Sequence, residues 1–122
     1  MPLREAFAAF YAFLVDECGC EAYVKTIYVG FTLGGEMVCA VYPHPNRLEV
    51  ALALPEDVEG PEFKDATHLT WPTMPVAVEI HNAADTEMVL GHLSTAVGRV
   101  ATGLHDVRRP PEHFMGRRHR EG

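Results

Sequence analysis

Seven histidines are spread over 122 residues. Histidine changes charge nearest to neutral pH and is the commonest metal ligand. In "VAVEI-H", Glu79 and His81 stand two apart, which puts them on one face if this stretch is a strand. Were His68 to come alongside, a carboxylate and two imidazoles would form a three-ligand set, leaving a position for an activated water. The other histidines outside the His44 turn (His92, His105, His113 and His119) join neither an H-x-x-x-H nor an H-E-x-x-H arrangement. A strand pair of this kind is ordinarily just solvated. Metal-assisted hydrolysis by His68, Glu79 and His81 is therefore a secondary expectation, and no metal or cofactor is assigned.

His44 sits between Pro43 and Pro45 in "YPHPNRLEV". A general base needs a partner to orient its ring and a dry site to tune its pKa, and a proline-flanked turn supplies neither from its own residues. The expectation is a rigid, exposed turn in which Pro43 closes one strand. The alternative is a recognition knuckle that presents Tyr42, His44 and Arg47. The stretch "DATHLTWPTMP" carries the only tryptophan, Trp71, close to His68 and between prolines. A lone tryptophan here is expected to cover the end of a small core. An aromatic with one polar edge also suits a binding groove. No G-x-S-x-G, phosphate loop or glycine-rich dinucleotide turn is present.

Composition narrows the partners. A chain that is 48% hydrophobic and 22% charged is globular, and its length suits one domain. Residues 1–107 hold 15 Asp or Glu against five Lys or Arg, a formal −10, whereas "RRPPEHFMGRRHREG" (108–122) carries +3. So acidic a body disfavours nucleic acid, which needs clustered cations. The arginine tail is the one basic cluster and the only route by which nucleic acid would bind. Its prolines, glycines and charges predict a flexible segment, or one ordered only against an acidic neighbour. No apolar run is long enough to span a bilayer, and the amino terminus lacks the basic start of a leader, so no membrane association and a cytoplasmic location are expected. Cys18, Cys20 and Cys39 are an odd set with a spacing too tight for a zinc pair, and read as reduced, packed thiols.

The elements that would position these residues follow from periodicity. Leu3, Phe7, Phe10 and Leu14, widened by Tyr11 and Val15, form one helix face ending at Gly19. "YVKTIYVGFTL" (23–33), "EMVCAVY" (36–42) and "RLEVALAL" (47–54) read as three strands of a meander, the first two joined at Gly34-Gly35. Prolines 55, 61, 72 and 75 break up a long ordered loop before the strand "VAVEI" (76–80). Asp85 is the expected N-cap of a last helix whose face is Val89, Leu93, Val97, Val100 and Leu104, with Gly98 allowing close approach. The predicted fold is α+β: an antiparallel sheet of about four strands, a three-strand meander plus one, with both helices on one face.

"LEVALALP", "HLTWPTMPVAVEI" and "NAADTEMV" together resemble an uncharacterised bacterial domain family labelled predicted transport proteins, and more distantly the MmcQ/YjbR-like proteins. The resemblance spans roughly residues 20–104 and implies a compact α+β domain, free-standing or fused to others. DNA binding is associated with the MmcQ/YjbR-like fold, and the acidic body runs against it. The family has no established catalytic residues, so none is transferred. The function expected is a small binding or interaction module without catalytic activity that recognises a protein or self-associates. Tyr42, His44, Arg47, His68 and Trp71 are the candidate contact residues.

Overall fold

In the computed structural model, which describes residues 2–104, the first apolar stripe folds as α1 (Pro2–Tyr11). It continues into a wider π-helical turn, Ala12–Glu17. Phe10 and Leu14 are fully buried, and Ala6, too small to mark the stripe, is buried with them. The Cys20 N–H bonds the Leu14 carbonyl, and Gly19 takes a left-handed φ of +77°, which ends the helix as expected.

The remaining elements are β1 (Glu21–Val24), β2 (Val29–Leu33), β3 (Glu36–His44), β4 (Arg47–Leu52), β5 (Lys64–Asp65), β6 (Val76–Ile80) and α2 (Ala84–Thr102). The strands form one antiparallel sheet in the order β1-β2-β3-β4-β6-β5. The α+β class holds, but four strands is an underestimate: there are six among the described residues. Residues 23–33 are a hairpin and not one strand. The chain reverses about Thr26 and Ile27, and the Lys25 N–H bonds the Tyr28 carbonyl at 2.9 Å. The sixth strand, β5, is a two-residue edge piece inside the proline-broken loop.

Gly34 and Gly35 both have positive φ and close the β2–β3 hairpin, as their pairing predicts. Pro43 does not close β3, which runs on to His44. Pro43 pairs with Leu48 beyond the end of β2, where β3 has a neighbour on one side only, so its missing N–H leaves no ladder bond open. The β2–β3 register slips at Val38, whose carbonyl takes the Ala53 N–H instead.

Strand alternation sorts the side chains onto two faces. Val29, Phe31, Val41, Leu48, Val50, Val78 and Ile80 share one face by register. There α1 packs, Phe7 meeting Phe31 at 6.3 Å between ring centres. α2 contacts α1 and strands β2, β3, β4 and β6, burying Val89, Leu93, Ala96 and Val100. Val97 is only half-buried, Leu104 is 57% exposed, and the space beside Gly98 is open, so that glycine serves no close approach. Asp85 lies inside the first turn of α2 and is not its N-cap; its carboxylate accepts the His81 N–H, while Asn82 caps Ala84.

The opposite face, where the Glu79 and His81 pair was expected to be solvated, is largely buried, so β4 is buried on both sides from Leu48 to Leu52. Ala40, Ala51 and Ala77 form a cross-strand row there with almost no exposed surface. Small side chains leave room for the 66–75 segment to fold back over the sheet. Its 3₁₀ turn, Thr67–Leu69, and the buried Met74 belong to that cover.

Burial also settles the thiols. All three cysteines are unpaired with one another; it pushes the Cys20 thiol up to about 11, raises Cys39 further, and raises Cys18 with help from Glu17. The 108–122 tail, and with it His105, His113 and His119, lies outside the described residues.

Candidate functional site

One row on the covered face carries most of the candidate residues. Tyr42 on β3, Glu49 on β4 and Glu79 on β6 are successive cross-strand partners. Opposed carboxylates repel unless each has its own counter-groups, and here each has. Glu49, only 9% exposed, bonds the Nε2 of His44 through one oxygen at 3.1 Å and the Nε2 of His68 through the other at 2.8 Å. Glu79 bonds Arg47 Nε at 3.3 Å, Lys64 Nζ at 3.2 Å and His81 Nε2 at 3.0 Å. The His81 bond, with Lys64 and Arg47 behind it, holds the Glu79 carboxyl below its usual range against the opposing effect of burial. The two opposed carboxylates thus have separate sets of partners.

His44 is not a bare turn residue. It ends β3, is half-buried, and gains an orienting carboxylate five residues along the chain, which only hairpin closure brings near. Its other side borders an apolar cleft of about 370 Å³ between α1 and the β3–β4 end, floored by Val41, Pro43 and Leu48 and walled by Leu3 and Phe7.

Trp71 joins the same row. Its Nε1–H donates to the Tyr42 hydroxyl at 2.7 Å, and its ring meets Tyr28 edge-on at 5.5 Å; Tyr28 in turn lies 5.3 Å from Tyr42. Burial raises the Tyr42 phenol, with the Trp71 bond acting against the shift. Thr70 turns the chain from His68 toward this contact in a left-handed conformation, φ 62°, that β-branched residues rarely adopt.

Tyr42, His44, Arg47, His68 and Trp71 are thus brought together, on one face. The set His68, Glu79 and His81 is not: His81 bonds Glu79, whereas His68 bonds Glu49 on the neighbouring strand. Among the described residues no three His, Cys, Asp or Glu side chains form a group suited to a metal ion. Sequence reasoning missed Glu49, the hub of the two histidines. Its signal was a charged residue within the otherwise apolar alternation of "LEVALAL".

A second feature is the β1 margin of the sheet. β1 has β2 on one side and no strand on the other among the described residues. Tyr23 is 48%, Val24 80% and Ile27 66% exposed, an apolar group on an unpaired edge. The opposite margin is closed by the two-residue β5, whose Lys64 is tied to Glu79.

No family model, curated protein or solved structure matches this chain. No helix among the described residues is long and apolar enough to cross a membrane.

Proposed function

We propose that the chain is a non-catalytic interaction module that binds a protein partner, or a second copy of itself, through the β1 margin. The observation that carries this reading is the open edge at β1 with Tyr23, Val24 and Ile27 exposed on and beside it. An extended segment docking there would complete the ladder with main-chain hydrogen bonds and cover the apolar side chains. The Glu49 and Glu79 cluster supports the reading from the other direction. Glu49 is occupied by His44 and His68, and Glu79 by Arg47, Lys64 and His81, all side chains of this chain that brace the loop on the sheet. Of the five candidate residues, Tyr42, His68 and Trp71 are in this view part of the brace, with His44 and Arg47 at the hairpin end. A cytoplasmic setting and kinship with the predicted transport-protein family belong to the same proposal and rest on sequence pattern.

The test compares wild type with Val24→Lys, which charges the exposed edge and leaves the core untouched. Both are immobilised at equal density and challenged with cell extract and with soluble wild-type chain. A binder, heterologous or self, held by wild type and lost by the variant supports the module. Identical retention by both, or none by either, overturns it.

A further inference from the structure

We infer that the partner of the β1 edge is a second copy of this chain, paired antiparallel about a two-fold axis through Tyr23, with Glu21 of each copy opposite Lys25 of the other. The inference rests on the edge-binding reading above and adds the occupant and the register.

The register follows from the hairpin. Residues of β1 and β2 pair as Glu21↔Thr32, Ala22↔Phe31, Tyr23↔Gly30 and Val24↔Val29, and the Lys25 N–H bonds the Tyr28 carbonyl. In an antiparallel ladder, hydrogen-bonded and non-bonded positions alternate. With Lys25 bonded to β2, Tyr23 and Glu21 are bonded to it as well, and the N–H and C=O groups of Ala22 and Val24 point outward. A second β1 can use these groups only if Ala22 or Val24 of one chain faces Ala22 or Val24 of the other. That leaves three symmetric registers, centred on Ala22, Tyr23 or Val24.

Charge selects among them. Centring on Ala22 sets Glu21 against Tyr23, and centring on Val24 sets Lys25 against Tyr23. Only the Tyr23 centre sets Glu21 against Lys25, twice by symmetry, at non-bonded positions where facing side chains approach most closely. Among the described residues neither side chain forms a salt bridge or side-chain hydrogen bond; the Lys25 ammonium lies 5.5 Å from the Tyr23 ring centre. An edge whose two charges are opposite in sign and symmetrically placed about its centre is self-complementary, the requirement of a two-fold contact.

The apolar groups agree. In this register Val24 of one copy forms its hydrogen bonds with Ala22 of the other and lies on the α1 face. Beside Ala22 is its β2 partner Phe31, and over Phe31 stands Tyr11 at 6.1 Å, itself 42% exposed. Pairing thus sets Val24, the most exposed large apolar side chain among the described residues, beside the partner's Ala22 on the face that carries Phe31 and Tyr11. The outcome is one continuous sheet across both copies.

The test is sedimentation of the full chain over a concentration series, with four variants whose fold is checked by circular dichroism and melting. Glu21→Lys and Lys25→Glu each create two like-charge contacts and are expected to weaken the dimer about tenfold. The double exchange, Glu21→Lys with Lys25→Glu, restores both pairs and the wild-type dissociation constant. Val24→Pro removes an outward N–H without touching the bonds to β2, and is expected to give a folded monomer. A wild-type chain that stays monomeric overturns the inference, and if the same chain also retains an extract protein through β1 the interaction-module reading survives it. A dimer indifferent to Val24→Pro, or singles not rescued by the double exchange, shows association by another surface or register and overturns it equally.

Discussion

Glu49 and Glu79 stand directly opposite each other on β4 and β6, and each is held by a different set of donors. Glu49 takes His44 and His68, from the hairpin end and the covering loop; Glu79 takes Arg47, Lys64 and His81, from three strand ends. The division lets two carboxylates stand in one row of a buried face, each with its own counter-groups, and ties the covering loop to that row.

Acid should loosen this arrangement in a defined direction. The folded pKa of Glu79 lies below the ordinary value of 4.5 because His81, Lys64 and Arg47 favour its charged form. A carboxyl depressed in the folded state contributes stability above its unfolded pKa, and that contribution is lost as pH falls through the folded value. Urea midpoints should therefore be insensitive to this group from neutrality to about pH 5 and decline below it. Asp65, lowered by Thr67, and Glu62, lowered by its own backbone N–H and then His92, share that acid limb. Glu79→Gln should make the limb shallower without abolishing it and, since its partners are partly exposed, should cost under about 1 kcal/mol at neutral pH. An acid limb identical to wild type would refute the role given to Glu79.

Trp71 separates packing from hydrogen bonding. Trp71→Ala removes a ring set against Tyr28 and a donor to Tyr42, and should destabilise by about 3 kcal/mol, the low end for a large aromatic because the ring is only partly buried. Trp71→Phe keeps most of the packing and leaves the Tyr42 hydroxyl without its donor, and should cost about 1 kcal/mol. Thermal and urea melts of the two variants check the ordering. A Trp71→Ala melt equal to wild type would remove the covering role.

Thr70 carries the strain of the loop. A threonine at φ 62° is disfavoured by its Cβ, and the conformation is held by the Thr67 and Trp71 contacts on either side. Thr70→Gly should raise stability by up to about 1 kcal/mol, the relief being partly offset by glycine's greater freedom in the unfolded chain. A loss of stability in the melt would show that the side chain itself supports the turn.

Much of this fold was legible in local pattern. The α1 and α2 stripes, the Gly34-Gly35 hairpin and the inward Val76, Val78 and Ile80 are set by residues near one another in the chain, where periodicity and turn chemistry act directly. The β1–β2 reversal was hidden because Thr26 and Ile27 turn with ordinary φ and carry no glycine or asparagine to mark it. The covered second face was hidden for another reason. Alternation along β4 tells which residues share a face, but only the fold-back of residues 66–75 decides that both faces are buried. The candidate residues were visible one by one as Tyr42, His44, Arg47, His68 and Trp71. Their convergence depends on contacts across 19, 29 and 32 residues, His68 to Glu49, Trp71 to Tyr42 and Arg47 to Glu79. Separations of that length are closed by strand order and loop path, and side-chain type alone does not encode them.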